Sequence, residues 1–271
     1  MRPAGAGDLN AVWLAVRAAG MFASRDEFEA FWREAPWRVQ VSEAGDASVV
    51  ERWRHHMGLL AIKGLWCAER DMSSILTDLL SLARTQGFDD VLSPIVPDTL
   101  LAPYEAAGMH VTRCGVTMRV KRPAERDVAP PTGVGLRRAG AEDLDALLAV
   151  DAASFEPFWR YDAPSLSALL ATYRAVVATS GGELIGYTLC TVDRDEAMLG
   201  RLAVVPGERG RGIGAALLDD ALGYCVRAGA RGVTVYTQEE NRVSRALYES
   251  RGFRQLQGTS CFLTFESGVR G

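Results

Sequence analysis

Leu202-Ala203-Val204-Val205-Pro206-Gly207-Glu208-Arg209-Gly210-Arg211-Gly212-Ile213-Gly214-Ala215-Ala216-Leu217-Leu218 changes character twice. It begins inside a short apolar run, Leu199 to Val205, that reads as a strand. It passes through a loop of glycines and arginines. It ends in Ile213, Leu217, Leu218, Leu222 and Cys225, the apolar face of a helix that Gly229 can stop. A helix start carries four unpaired N–H groups and about half a positive charge, which stabilises an adjacent anion by about 0.3–1 kcal/mol when exposed and up to about 2 when partly buried. Gly210, Gly212 and Gly214 lack the β-carbons that would hold a diphosphate away, and Arg209 and Arg211 offer guanidinium donors. The glycines alone fit equally well a tight turn with its arginines in solvent. Gly212 is followed by Ile213 rather than by Lys-Ser/Thr, which excludes a Walker A loop. The third glycine of a dinucleotide fingerprint is also missing.

Outward from this stretch, Leu144, Leu147, Leu148 and Val150 follow Asp143 at helical spacing. Ala175–Ala178 and Leu184–Leu189 flank Ser180-Gly181-Gly182, a hairpin signature. Val233–Thr237 is a further β-rich run. A helix carrying Ala246, Leu247 and Tyr248 then stops at Gly252, and Cys261–Phe265 is expected to close the sheet. The pattern predicts an α/β sandwich with a mixed sheet.

The loop resembles the acetyl-CoA signature of the GCN5-related N-acetyltransferases (GNAT), R/Q-x-x-G-x-G/A between a strand and a helix. Asn241-Arg242-Val243-Ser244-Arg245-Ala246-Leu247-Tyr248-Glu249-Ser250-Arg251-Gly252-Phe253 resembles that family's N-x-x-S/A-x-x-L-Y-x-x-x-G-F block. The resemblance implies acyl-CoA N-acyltransferase-like domains, each a mixed, mostly antiparallel sheet flanked by helices. Acetyl-CoA would lie in a V between two splayed strands. The segment Leu202, Ala203 and Val204 would hold the pantetheine through the Leu202 and Val204 amides, which would also polarise the thioester carbonyl. The diphosphate would sit on Arg209, Gly210, Arg211, Gly212, Ile213, Gly214 and Ala215. Asn241 would contact the pantetheine arm, and Tyr248 would protonate the departing thiolate. A tyrosine on an amphipathic helix is also an ordinary core residue.

The chain contains a worn repeat. Arg2-Pro3-Ala4-Gly5-Ala6-Gly7-Asp8-Leu9-Asn10-Ala11 is echoed by Arg137-Arg138-Ala139-Gly140-Ala141-Glu142-Asp143-Leu144-Asp145-Ala146, and Tyr104-Glu105-Ala106-Ala107-Gly108 by Tyr248-Glu249-Ser250-Arg251-Gly252. Residues 123–133, with three prolines and scattered charges, read as a linker. Two tandem domains are therefore expected: 1–122, a degenerate copy, and 134–271, the catalytic one. In the first copy Cys67-Ala68-Glu69-Arg70-Asp71-Met72-Ser73-Ser74 stands where the glycine loop should be. Its β-carbons and the charges of Glu69 and Asp71 oppose a diphosphate, so this copy is expected to bind no acetyl-CoA and to buttress the second.

The 271 residues are 48% hydrophobic and 24% charged, a composition that folds rather than stays disordered. The net charge is −4, shared evenly by the halves, so no basic face for nucleic acid is expected. No apolar run reaches bilayer length, and Met1–Asn10 carries no signal-peptide core; no membrane partner and a cytoplasmic location are expected. Cys67, Cys114, Cys190, Cys225 and Cys261 are odd in number and scattered, which suits unpaired thiols and argues against structural zinc; no metal is expected. His55, His56 and His110 all lie in the first half, which removes most hydrolase triads.

The expected reaction is direct attack of a small-molecule primary amine on acetyl-CoA. The acceptor wall falls on Phe155-Glu156-Pro157-Phe158-Trp159-Arg160-Tyr161-Asp162, which a plain core cluster explains equally. Carboxylates available as general base are Glu156, Asp193, Asp195, Glu196, Glu239 and Glu240. The alternatives are a protein or peptide N-terminal acetyltransferase and a non-catalytic acyl-CoA-binding module. The peptide reading is weakened because related enzymes tend to carry a glutamate where this chain has Tyr236. The assembly is expected to be a pseudo-dimeric monomer or a homodimer.

Overall fold

The computed structural model describes residues 1–22, 24–127 and 129–266. From the start run β1 (Arg2–Pro3), α1 (Leu9–Ala18), α2 (Arg25–Glu34), β2 (Val39–Val41), β3 (Ala47–Arg52), β4 (Leu59–Trp66), α3 (Glu69–Thr85), β5 (Asp90–Leu92), β6 (Val96–Pro97), α4 (Ala102–Ala106) and the long β7 (His110–Lys121). The second half repeats this order as far as its fifth strand: β8 (Val134–Arg138), α5 (Leu144–Ser154), α6 (Ala163–Thr172), β9 (Arg174–Ser180), β10 (Glu183–Asp193), β11 (Glu196–Val204), α7 (Ile213–Arg227) and β12 (Gly232–Gln238). It then continues with α8 (Arg242–Glu249), β13 (Arg254–Gln255) and β14 (Ser260–Glu266), where the first half has its short strand β6 before the helix α4. The repeat is visible in contacts as well. Arg2 ion-pairs with Asp8 at 2.7 Å, whose carboxylate also accepts from the Gly5 amide; Arg137 ion-pairs with Asp143 at 2.7 Å, which accepts from the Gly140 amide.

Contacts divide the chain into one compact unit of residues 1–114 with 258–271 and another of 115–257. These bounds differ from the sequence-based cuts at 122 and 134. The reason is an exchange of final strands. In the first unit the strands run β1-β2-β3-β4-β5-β14, with β14 antiparallel to β5 (Phe265 opposite Val91). In the second they run β7-β12-β11-β10-β9-β8, with Gly115–Lys121 of β7 antiparallel to the whole of β12. Cys261–Phe265 therefore does not close the sheet of its own copy, because β7 already holds the free edge of β12. Each unit has one parallel pair, β4 with β5 and β11 with β12, among antiparallel ones.

Residues 123–133 are not a free tether either. The Arg122 amide donates to the Arg231 carbonyl, Glu125 ion-pairs with Arg227, and the Pro131 ring approaches Gly212, so the described part of this segment packs on the second unit. The expectation of unpaired thiols is corrected at two positions: Cys114 on β7 and Cys261 on β14 form a disulfide, because strand order brings together residues 147 apart in sequence. Cys67, Cys190 and Cys225 are free.

In the second unit the sheet is covered on both faces. Leu147 and Val150 of α5 and Leu166 of α6 pack on Val177, Tyr187, Leu189 and Ala203. On the other face Ile213 and Leu217 of α7 meet Val176, Ala178 and Ile185, while Leu218, Leu222 and Cys225 meet Val233, Val235 and Tyr248. Among the described residues no helix is long and apolar enough to cross a membrane.

Candidate functional site

β11 and β12 pair only from Glu196–Leu199 with Gly232–Val235. Beyond that point β11 stays with β10 as far as Val204 and β12 stays with β7 as far as Gln238, so the two strands part and leave an open V. The Val205 amide donates to the Ile185 carbonyl of β10 at 3.0 Å. Backbone groups alternate along a strand, so the amides of Val204 and Leu202 turn to the opposite edge, into the V. Ala203 turns its side chain into the α5 core. A bulge fixes this phase: Arg201 faces Leu189, Leu199 faces Cys190, and Gly200 has no partner. A β-carbon on Gly200 would come within 2.8 Å of the Tyr173 ring.

At the tip of the V a short 3-10 turn (Pro206–Glu208) leads into α7. Gly212 is its N-cap with φ +87°, a left-handed conformation that L side chains adopt only at a cost. No side chain caps this helix and its first turn holds no acid, so the first-turn amides, Ile213, Gly214 and Ala215 among them, have no side-chain partner. Gly210 is also left-handed, at φ +78°, with open space where a side chain would stand. The end of β11 and the start of α7 thus present backbone donors on one side.

The loop arginines are committed differently from what their sequence position suggests. Arg209 donates through Nε to the Val204 carbonyl at 3.0 Å and through Nη2 to the Ser154 carbonyl at 3.1 Å, so it braces the loop. Arg211 is paired with Glu208 at the surface. The donors left uncommitted at this loop are therefore mainly backbone amides. In the first unit only Cys67 and Ala68 separate β4 from α3, and the first helical turn carries Glu69 and Asp71.

Asn241 caps α8, its Oδ1 accepting from the Ser244 amide at 3.1 Å, which leaves the side-chain NH2 as a donor. Tyr248 is buried against Phe253, with ring centroids 5.6 Å apart. Burial alone, with no neighbouring charge, raises its phenol well above the usual range, so the proton is retained at neutral pH. Tyr236 sits on β12 where β11 has parted from it; burial, reinforced by Glu240, pushes it up to about 12.

Of the carboxylates, Asp193, Asp195 and Glu196 lie at the β10–β11 hairpin, where β11 and β12 are still paired. Glu239 and Glu240 follow β12 directly at the open end, and both are exposed. The segment Phe155–Asp162 is neither a plain core cluster nor simply a surface wall. Phe158 is buried, while the rings of Phe155 and Tyr161 lie on the guanidinium of Arg201, which is bonded to a fully buried Asp151. Sequence reading missed Arg201 and Asp151. The available signal was Arg201 interrupting the apolar run Leu199–Val205, and Asp151 falling at helical spacing on the apolar face formed by Leu144, Leu147 and Leu148. Among the described residues no group of three or more His, Cys, Asp or Glu is placed to hold a metal.

Residues 144–253 match the acetyltransferase (GNAT) family. The chain is 34% identical over 101 residues to the uncharacterized N-acetyltransferase YhfO of Bacillus subtilis, covering 34% of this chain and 68% of that protein. It is 30% identical over 167 residues to a mycothiol acetyltransferase of Thermobispora bispora, covering 55% of this chain and 57% of the relative. A solved tandem GNAT protein from the clavulanic acid biosynthesis pathway superposes with a TM-score of 0.62 at 18% identity, over 83% of this chain and 80% of that one. The strand, glycine loop and helix at Val204–Ala215, the block from Asn241 to Phe253 and these matches together place the chain in the GNAT family of acetyl-CoA-dependent acyltransferases.

Proposed function

We propose that the second unit transfers the acetyl group of acetyl-CoA to the primary amine of a small molecule by direct attack on the thioester. The observation that carries this reading is the continuity of unpaired backbone donors, from Leu202 and Val204 in the V to the uncapped start of α7 at Gly212. A thioester carbonyl directed at the Val204 and Leu202 amides would develop its negative charge against fixed donors, each worth about 2.7–4 kcal/mol where such donors have been removed. The diphosphate would take the first-turn amides of α7, with Arg209 bracing the loop and Arg211 free to swing from Glu208 toward it. Asn241 would offer its NH2 to the pantetheine arm.

The amine must be neutral to attack. Glu239 and Glu240, exposed just after β12, would accept its proton through water. The Tyr248 phenol, held protonated by burial, is the group to donate to the leaving thiolate. A small acceptor is favoured because Tyr236, a large, half-buried phenol, follows the last pair of β11 with β12, and because one relative is named for mycothiol. The first unit, with a two-residue loop and an acidic first turn on α3, is read as a scaffold that binds no acetyl-CoA.

Calorimetry with acetyl-CoA, followed by thiol release on tyramine, spermidine, glucosamine and a peptide with a free N-terminus, tests the reading. Uptake with turnover of a small amine supports it. Turnover of the peptide alone would replace the acceptor class, and uptake without any turnover would favour a binding module.

A further inference from the structure

Arg201 and Asp151 are 9% and 0% exposed, and an ion pair so deep needs a reason, since an apolar replacement of the same shape is often as stable or more so. Arg201 Nε and Nη2 donate to Asp151 Oδ1 at 2.8 and 2.6 Å. The Tyr187 hydroxyl donates to the same oxygen at 2.5 Å, and the Tyr161 amide donates to Oδ2 at 2.9 Å. Arg201 Nη2 also donates to the Trp159 carbonyl at 2.7 Å, with the Phe155 and Tyr161 ring centroids 3.5 and 4.4 Å from the guanidinium carbon.

Two consequences follow from where these bonds go. They hold the backbone of the segment Phe155–Tyr161 at both Trp159 and Tyr161, and they hold it to the residue that immediately precedes Leu202. The bulge at Gly200 makes this possible. Ala197 and Leu199 before the bulge and Leu202 after it pack on the α7 side, while Arg201 and Ala203 turn to the α5 side. An unbulged strand would send Arg201 to the α7 face. Arg209 adds a second tie, from the glycine loop to the Ser154 carbonyl just before the same segment.

We propose that Arg201, paired with Asp151, is a positioning residue for acetyl transfer: it fastens Phe155–Tyr161 to the strand whose amides face the V, and so fixes where the acceptor amine stands relative to the thioester. The inference rests on the reading of the V as the donor site. α7 closes the other face of the sheet, so an amine entering from the α5 face meets this segment first. A misplacement of about 1 Å at such a distance from the reacting atoms costs on the order of 100-fold in rate.

The test uses the full chain and the amine that it turns over fastest among tyramine, spermidine, glucosamine and the peptide. Arg201→Lys keeps the charge and loses the planar, stacked fork. The triple variant Arg201→Met/Asp151→Leu/Tyr187→Phe removes the cluster without leaving a buried charge alone. For either variant the expected result is an acetyl-CoA Kd within about threefold of the parent, with kcat/KM for the amine down about 10- to 100-fold through both a lower kcat and a higher amine KM. Full amine kinetics in a folded variant would overturn the inference alone, as would a loss confined to acetyl-CoA affinity. A parent chain that takes up no acetyl-CoA, or passes acetyl to none of the four probes, would overturn the transfer reading and this inference with it.

Discussion

Cys261, on the last strand, is bonded to Cys114 on β7, 147 residues earlier. The bond ties β14 into the unit to which it contributes an exchanged strand. Thiol titration of the denatured, unreduced protein is expected to find three free cysteines, Cys67, Cys190 and Cys225. Cys114→Ser with Cys261→Ser is expected to lower stability by about 2–5 kcal/mol, as for other long loops. Five titratable thiols in freshly purified, unreduced protein would contradict the pairing.

Gly212 takes φ +87° at the cap of α7, while Gly207, in the preceding 3-10 turn, is not left-handed and has no atom within 4 Å of where its β-carbon would be. Gly212→Ala therefore strains the backbone by about 1–2 kcal/mol and reorients the first amides. The acetyl-CoA Kd is expected to rise at least about tenfold, or about 1.4 kcal/mol. Gly207→Ala should leave both melting and binding as they were. Equal effects from the two substitutions, measured by calorimetry, would remove the anion site from the helix start.

Tyr248→Phe keeps the packing on Phe253 and removes only the hydroxyl. If that hydroxyl protonates the thiolate, kcat drops about 100-fold with the melting temperature nearly unchanged. An unaltered kcat would reduce Tyr248 to a core residue, which is also the position of its counterpart Tyr104 in the first unit. The raised pKa has a consequence for stability. Burial lifts Tyr248 above its unfolded value near 10 and lifts Tyr104 to about 12, so the folded state holds these protons more tightly. The associated stability is fully present below pH 10 and is lost as pH rises through the folded values. Melting scans should fall off from about pH 10 upward, less steeply for Tyr248→Phe.

A fragment of residues 134–271 lacks the part of β7 that covers β12, and it carries a β14 with no β5 to pair. It is expected to aggregate or to melt without cooperativity. Residues 115–257, which form a compact unit, should remain soluble and take up acetyl-CoA. A well-folded, acetyl-CoA-binding 134–271 fragment would show that the strand exchange is dispensable.

The sequence by itself determined the local grammar: the strand, glycine loop and helix at Leu199–Arg227, the repeated Arg-x5-Asp pattern, and the loss of glycine between β4 and α3. Each is set by residues a few positions apart, through φ preferences, helix-end chemistry and apolar periodicity. Tertiary structure decided what depends on pairing across long separations. Strand order exchanged β7 and β14 and moved the unit boundaries to 114 and 257. It also joined Cys114 to Cys261. One unpaired glycine shifted the phase of β11 and buried Arg201 against Asp151, fifty residues away. Arg209 read as a phosphate ligand by position, yet two carbonyls, one of them at Ser154, claim its guanidinium. A bulge and a sheet edge are satisfied by whichever strand arrives, and local sequence does not encode which one that is.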